Sequence, residues 1–227
     1  MIYGIVPVGG KGLRLSLPFP KELLPQKGFN YYNPIINHVV GKMLQAGAER
    51  IFFIHGTEFK QYIVDYYSEA KMVHIQQQTP GFAVVLKDFY DSCIKLELDD
   101  KVLFGLPDSI FEGNPFPKML ESEGVVCGLF NSDHYTKVDR LTKADEQMFE
   151  VKAQKSDTNQ NWGWGVLKFE GRNIITLVNR GLTNKFTEIG DILNHFPKTY
   201  VFAESYLDLG TWENYNRYLS LYEDRRC

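Results

Sequence analysis

Hydrophobic residues in the first half of the chain follow two alternating spacings. Short apolar runs have the length and composition of buried strands. These runs are residues 2–8, 50–55, 72–75 and 101–106. Between them, apolar residues recur every three or four positions, as on one face of a helix. These segments are residues 34–47, 59–67 and 82–94. The alternation predicts a Rossmann-like α/β fold, with a mainly parallel sheet flanked by helices.

The second half of the chain has a less regular pattern. Residues 138–141 and 148–153 are predicted to form an antiparallel pair. The other predicted elements are strands at 124–130, 165–169 and 200–203 and helices at 189–196 and 211–223. No Pro-rich linker or internal repeat divides the chain. We therefore predict a single domain over residues 1–227, with a mixed sheet and an inserted antiparallel portion.

Composition excludes several functional classes. The chain has 227 residues, 44% hydrophobic and 23% charged, and a net charge of −3 without a basic stripe. This argues against a nucleic-acid surface, and apolar runs of strand length argue against membrane spans. The three cysteines, at positions 93, 127 and 227, lack disulfide or zinc spacing, and the five histidines lack metal-ligand spacing. With no targeting signal before the first strand, we expect a cytoplasmic protein.

A glycine loop follows the first predicted strand. Gly9, Gly10 and Gly12 let the backbone turn tightly and direct its N–H groups toward an anion. Arg14 and Lys21 lie just beyond, where two cations could meet a triphosphate. Taken alone, such a loop is more often a plain strand-to-helix turn. Its meaning therefore depends on the residues around it.

The loop differs from two common phosphate-binding motifs. It lacks the G-x-x-x-x-G-K-[ST] pattern, and the Leu-Pro-Phe-Pro stretch at 17–20 prevents the prompt helix that G-x-G-x-x-G requires. Residues 9–25 read GGKGLRLSLPFPKELLP. This string resembles the signature of the sugar-1-phosphate nucleotidyltransferases, the family of glucose-1-phosphate thymidylyl- and uridylyltransferases. Two spaced blocks carry the resemblance, and it continues in order along nearly the whole chain.

The next matching block is QQQTPGFA at residues 76–83. Family members have a Gln and a following Gly here that are associated with the nucleotide base. The resemblance therefore implies base contacts by Gln76, which has the usual spacing, and Gly81; Gln77 and Gln78 remain alternatives. A Gln amide offers a donor and an acceptor, which suits a pyrimidine edge. The block could also be a polar loop leading into the next helix.

Two aspartates match the family's metal ligands. Asp108 follows the predicted strand at 101–106, where the family has an Asp that holds magnesium. Asp208 lies in YLDLGT, which resembles the family's W-x-D-x-G-T block with the second ligand. Two carboxylates, completed by phosphate oxygens and water, suit Mg²⁺. The resemblance thus implies a magnesium site on Asp108 and Asp208. Thr211, in the same block, is expected to be the N-cap of the terminal helix.

The segment that binds the sugar in this family has a different sequence in this chain. The family commonly has Glu-Lys-Pro, with the Glu on a sugar hydroxyl and the Lys on the sugar phosphate, where this chain has Gln154, Lys155 and Ser156. A Tyr-Gly pair usual before this segment is also missing. The resemblance thus implies Lys155 at the sugar phosphate and Gln154 beside the sugar, and leaves the sugar undetermined. Trp164, with Trp162, is a sugar-binding candidate because of its aromatic side chain, which could stack on a sugar or base or pack in the core.

Together these blocks imply a nucleotidyltransferase that joins a nucleoside triphosphate, dTTP or UTP, to a sugar 1-phosphate. Residues 1–110 would form the nucleotide-binding half and residues 111–227 the sugar-phosphate half. The glycine loop would cradle the nucleotide, Arg14 would contact the departing pyrophosphate, and Lys21 the α-phosphate. Two alternatives remain: a non-catalytic sugar-nucleotide sensor, and a transferase that loads an alcohol phosphate, which the altered segment at 137–156 permits. The oligomeric state is not determined by the sequence.

Overall fold

The computed structural model describes most of the chain. The described residues are 1–10, 12, 14–56, 58, 60–77, 79, 81–131, 141–143, 149–151, 162–184, 186 and 189–221. Their strands are β1 (Ile2–Pro7), β2 (Arg50–His55), β3 (Met72–Gln76), β4 (Lys101–Gly105), β5 (Ser109–Phe111), β6 (Val125–Asn131), β7 (Leu141–Lys143), β8 (Phe149–Val151), β9 (Trp162–Glu170) and β10 (Lys198–Asp208). Their α-helices are α1 (Ile36–Gln45), α2 (Gln61–Tyr66), α3 (Phe82–Ser92), α4 (Phe116–Leu120), α5 (Gly171–Asn179), α6 (Ile189–His195) and α7 (Trp212–Leu221).

Eight of these strands form one mixed sheet in the order β3-β2-β1-β4-β9-β6-β10-β5. Neighbours from β3 to β4 are parallel, and so are β6 and β10. Strand β9 runs antiparallel between β4 and β6, and β5 runs antiparallel to the end of β10. Strands β7 and β8 form a separate antiparallel pair. This confirms the predicted fold class, a mainly parallel sheet with an inserted antiparallel portion.

The core lies on both faces of the large sheet because side chains alternate along each strand. Ile5 and Phe52 belong to an apolar cluster that includes residues of α3, α5 and α6. Their neighbours Val6 and Phe53 belong to the opposite cluster, which includes residues of α1, α2 and α4. Strands β1 and β2 are therefore covered on both sides, as their continuous apolar runs predict. No helix in the described part of the chain is long and apolar enough to cross a membrane.

A third, smaller cluster joins the segment after β1 to the last helix. Leu15 and Leu24, from that segment, pack with Leu209, which follows β10, and with Tyr215 and Tyr218 of α7. The terminal helix thus fixes the segment that carries the predicted phosphate-binding residues.

Several elements differ from the sequence-based expectation. Strand β10 has eleven residues where four were predicted, because it pairs first with β6 and then with β5. The pattern also missed β5, α4 and α5. The first two are three and five residues long, too short for periodicity to reveal clearly. Helix α5 is nine residues long and begins directly after β9. Of the predicted antiparallel pair, β7 and β8 are present, and the remaining residues lie outside the described ranges.

Candidate functional site

A crevice of about 570 Å³ opens beyond the carboxyl ends of the parallel strands. It lies where the loops after β1, β2, β3 and β4 meet the end of β10, the place where open α/β sheets bind ligands. Of the residues predicted from the sequence, seven line it: Gly9, Gly10, Arg14, Lys21, Gly81, Asp108 and Asp208.

The glycine loop forms one wall of the crevice. A Cβ on Gly9 would stand 3.1 Å from the Gly56 nitrogen, and one on Gly56 would stand 2.8 Å from the Gly9 oxygen. The loops after β1 and β2 therefore approach each other more closely than side chains would permit. Gly10 has no atom within 4 Å of its Cβ position, and Gly12 has a φ of +63°, which favours glycine. Gly9 and Gly10 thus expose backbone at the crevice.

Helix α7 holds the turn that contains Arg14. The Trp212 Nε1–H donates to the Leu15 carbonyl at 3.0 Å, and the Leu15 N–H donates to the Gly12 carbonyl at 3.1 Å. Leu15 itself is buried. Because the residue after Arg14 is fixed on both sides, the guanidinium side chain is placed at the crevice by contacts from the far end of the chain.

Lys21 forms an ion pair with Asp108, and both residues line the crevice. Pro20, with φ −57° and ψ 129°, holds the backbone extended just before the 3₁₀ turn Lys21–Leu23. Burial opposes the charge on Lys21, but Asp108, Glu22 and Asp208 together raise the pKa of this ammonium. Lys21 is therefore a fixed cation at this site.

The pairing of β5 with β10 brings the two predicted metal ligands together. Ser109 lies opposite Asp208, and the Leu209 N–H donates to the Asp108 carbonyl at 2.8 Å. A Cβ on Gly210 would stand 2.8 Å from Asp208 Oδ1 and 3.5 Å from Asp108 Oδ2. Both carboxylates therefore border the same small space, and the absence of a side chain at Gly210 leaves room for them.

The charge of Asp108 acts on the neighbouring carboxylate of Asp208. Burial and the charge of Asp108 raise the pKa of Asp208, while the Gly210 N–H, which donates to Oδ1 at 2.7 Å, and the cations Lys21 and Arg14 oppose that rise. Adjacent carboxylates of this kind favour a cation between them. The described residues contain no group of three or more His, Cys, Asp or Glu that could hold a metal. Two carboxylates nevertheless fit Mg²⁺, which takes its other ligands from phosphate and water.

At the other end of the crevice, Gln77 rather than Gln76 faces inward. Gln77 is 6% exposed and lines the crevice, and its Nε2 donates to the Gly81 carbonyl at 3.2 Å. Gln76 ends β3 with its side chain exposed. Gln77 lies just beyond β3, and its N–H donates to the His55 carbonyl at 3.2 Å. Gln78 lies outside the described residues.

Glu22 also lines the crevice, although the sequence patterns did not predict it as a site residue. It is 1% exposed, and its Oε1 accepts a hydrogen bond from Lys60 Nζ at 2.8 Å. Its Oε2 has no hydrogen-bond partner among the described residues. Burial raises the pKa of Glu22 although Lys60 and Lys21 oppose this. Its position beside Lys21 in the motif was the available signal.

The structure places Trp164 away from the crevice. Its side chain is 3% exposed and belongs to the core cluster that covers one face of the sheet, and its backbone pairs with Leu129. This buried position supports core packing of Trp164 rather than stacking on a ligand. Gln154 and Lys155 lie outside the described residues.

The fold of this protein is also found among solved structures. No protein-family model and no curated protein sequence matches the chain. Its structure is similar to a crystal structure of a proposed glucose-1-phosphate thymidylyltransferase from Bacillus anthracis in complex with sucrose. The TM-score is 0.80 at 22% sequence identity, and the match covers 97% of this chain and 95% of the other. The two proteins therefore share a fold over nearly their whole lengths.

Proposed function

We propose that this protein is a nucleotidyltransferase that joins a nucleoside triphosphate, dTTP or UTP, to a sugar 1-phosphate and releases pyrophosphate. The observation that carries the proposal is the gathering of two cations and two carboxylates around the glycine loop. Arg14, Lys21, Asp108 and Asp208 line one crevice although they are far apart in the sequence. The shared fold with a proposed thymidylyltransferase supports the same reaction class.

The reaction needs positioning and charge neutralisation more than a protein nucleophile. An oxygen of the sugar 1-phosphate attacks the α-phosphorus, a new P–O bond forms, and the bond from the α-phosphorus to the pyrophosphate oxygen breaks. No general base is required, since the attacking oxygen is already anionic. Mg²⁺ held by Asp108 and Asp208 would supply neutralisation of phosphate charge.

The chain's own residues have separable roles in this proposal. Backbone N–H groups of the glycine loop cradle the nucleotide phosphates. Arg14 binds the departing pyrophosphate, and Lys21 stabilises charge at the α-phosphate. Lys21 has Asp108 as its anionic partner in the structure and gains a second one in the α-phosphate. Lys155 is proposed to hold the sugar phosphate, with Gln154 beside the sugar.

Pyrophosphate release tests the proposal directly. Each of dTTP, UTP, CTP, ATP and GTP is paired with several sugar 1-phosphates and, separately, with alcohol phosphates such as phosphocholine, always with Mg²⁺. We expect release with dTTP or UTP and at least one sugar 1-phosphate. If pyrophosphate is released with an alcohol phosphate but with none of the sugar 1-phosphates, the acceptor is an alcohol phosphate instead of a sugar. No release from any pair, together with tight binding of a nucleotide sugar, would identify a sensor instead.

A further inference from the structure

Strand β5 lies at one edge of the large sheet and has three residues, Ser109–Phe111. It follows Asp108 directly and pairs with the end of β10, which contains Asp208. The separation of the two carboxylates therefore depends on how firmly this short strand is held. Because a three-residue edge strand has few ladder hydrogen bonds of its own, contacts on its open side are important.

The register of the ladder shows which backbone groups of β5 face away from β10. The Leu209 N–H donates to the Asp108 carbonyl at 2.8 Å, so these two opposed residues are a hydrogen-bonded pair. In an antiparallel ladder such pairs alternate with pairs that are not hydrogen-bonded. Ile110 is therefore the next residue to bond with β10, and the N–H and C=O groups of Phe111 point to the open edge of the sheet.

The ring of His38, from α1, lies at this open edge. Its Nε2 is 3.0 Å from the Phe111 nitrogen and 2.9 Å from the Phe111 carbonyl oxygen. A neutral imidazole nitrogen accepts in one tautomer and donates in the other, so His38 can hydrogen-bond β5 in either tautomer. Burial and the charge of Lys42 lower the pKa of His38 from 6.5 to about 4, which keeps the ring neutral at neutral pH. The ring thus takes the place of a further strand.

Lys42, one turn further along α1, contacts the same segment. Its ammonium group donates to the Gly113 carbonyl and lies 5.2 Å from the centroid of the Phe111 ring. Its backbone carbonyl accepts a hydrogen bond from Asn114 Nδ2 at 2.9 Å. The rings of His38 and Phe111 also meet edge to face, with centroids 4.9 Å apart. Helix α1 therefore holds β5 and the turn after it from the side opposite β10.

We infer that His38 is a positioning residue that, with Lys42, clamps β5 against β10 and so keeps the carboxylate of Asp108 beside that of Asp208, ready for a divalent cation. The inference rests on the proposed function, because that function gives the cation its role. His38 acts through the backbone of Phe111, three residues after Asp108, rather than on the cation itself.

Binding of Mn²⁺, followed by electron paramagnetic resonance, tests the clamp without a reaction. His38→Phe retains a ring against Phe111 but removes the nitrogen, and it should bind Mn²⁺ about 10-fold more weakly than the wild type. His38→Gln supplies an amide with both a donor and an acceptor, and its affinity for Mn²⁺ should remain within about twofold of the wild type. A role for His38 in stability alone would leave the Mn²⁺ affinity of the folded protein constant in both variants.

Amide hydrogen exchange provides a readout that involves no metal. In His38→Phe the amides of β5 and of Leu209 should exchange about 10-fold faster than in the wild type, because the ladder opens more often when its outer side is not held. The amides of β1 and β2 should exchange at the wild-type rate. In His38→Gln the exchange at β5 should be close to that of the wild type.

Val40→Ala is the matched control on the same helix. Val40 is 3% exposed and lines a separate cavity with Tyr67 and Met72, on another side of α1 from His38. The variant should be less stable but should retain the wild-type affinity for Mn²⁺.

Lys42→Met tests the same clamp with the ring of His38 in place. The variant retains the aliphatic part of the side chain and loses the hydrogen bond to the Gly113 carbonyl. We expect Mn²⁺ binding to weaken by about threefold, the effect of one partly exposed hydrogen bond.

The outcomes separate this inference from the proposed function. Wild-type Mn²⁺ affinity in both His38→Phe and Lys42→Met overturns the inference, and so does equally weak binding in His38→Gln and His38→Phe, while pyrophosphate release still supports the transferase. A wild type that binds Mn²⁺ but releases no pyrophosphate from any substrate pair contradicts the proposed function, whereas the Mn²⁺ and exchange measurements still decide the role of His38. A wild type that binds no Mn²⁺ at millimolar concentration removes the cation site and the inference with it.

Discussion

Lys21 and Asp108 form an ion pair across the crevice, one from the segment after β1 and the other from the loop after β4. The ammonium group lies against one of the two carboxylates that would bind a divalent cation. Lys21 thus supplies a positive charge that compensates part of the negative charge of Asp108 and Asp208. A phosphate bound at the glycine loop would give Lys21 a second anionic partner beside Asp108.

Replacing Asp108 by Asn should reduce pyrophosphate release by at least about 100-fold, because the variant loses one negative charge at the proposed cation site. Circular dichroism should show an unchanged fold, since the backbone contact from Leu209 is retained. Asp65→Asn, an exposed change on α2, serves as the control and should keep full activity. Full activity in Asp108→Asn would refute the assignment of Asp108 as a metal ligand.

Gly210 should be intolerant of even one methyl group. In Gly210→Ala the added Cβ would stand 2.8 Å from Asp208 Oδ1, so the carboxylate must move. We expect turnover to fall by about 10- to 100-fold, with a higher Mg²⁺ concentration needed for half-maximal rate.

Gly41→Ala is the matched glycine control. Gly41 lies within α1, and no atom stands within 4 Å of its Cβ position. This change should raise the free energy of unfolding by about 0.5–1 kcal/mol, because alanine is the better helix former, and should leave turnover constant. Normal Mg²⁺ dependence in Gly210→Ala would show that the two carboxylates do not act together.

His55 should make the protein less stable in mild acid. The Lys60 N–H donates to His55 Nδ1 at 3.2 Å, and His55 Nε2 lies 3.0 Å from His74 Nδ1. Burial, His74 and Lys60 lower the pKa of His55 from 6.5 to about 4. Between these values the unfolded chain binds a proton that the folded chain does not. Stability due to His55 is therefore lost as the pH falls from 6.5 toward 4, by up to about 1.4 kcal/mol per pH unit.

The test compares urea unfolding of the wild type and His55→Gln at pH 7, 6 and 5. Glu22, Asp88 and Asp208 have raised pKa values and act in the opposite direction, but they do so in both proteins. The difference between the two curves therefore isolates His55. We expect the variant to be less stable at pH 7 and to lose less stability on acidification. Parallel curves would contradict the assignment of a neutral, buried His55.

Trp164→Phe should lower the stability of the protein without weakening sugar 1-phosphate binding. Trp164 is buried in the sheet, so the smaller ring should lower the free energy of unfolding by about 1–2 kcal/mol. The KM for the sugar 1-phosphate should remain within about twofold of the wild type, since the side chain does not line the crevice. Unchanged stability combined with a strongly raised KM would restore Trp164 as a sugar-binding residue.

Local sequence patterns were sufficient to predict β1–β4 and α1–α3. The apolar runs and helical stripes up to residue 106 correspond to β1–β4 and α1–α3, with ends shifted by up to two residues, because each element buries its side chains by its own periodicity. The motif residues Arg14, Lys21 and Asp108 also line the crevice as the resemblance implies. Their catalytic and metal-binding roles remain predictions.

The sequence by itself determined which residue types were available for phosphate, metal and base, and in what order along the chain. Only the tertiary structure decided which of them share a space. Gln77 lines the crevice and Gln76 does not, and Gln77 is held there by a long-range contact, since its N–H donates to the His55 carbonyl of β2 at 3.2 Å. Asp108 and Asp208 meet because β5 pairs with β10, a long-range contact that no local pattern encodes. Trp164 is in the core for the same reason: its place between β4 and β6 depends on strands distant in the sequence.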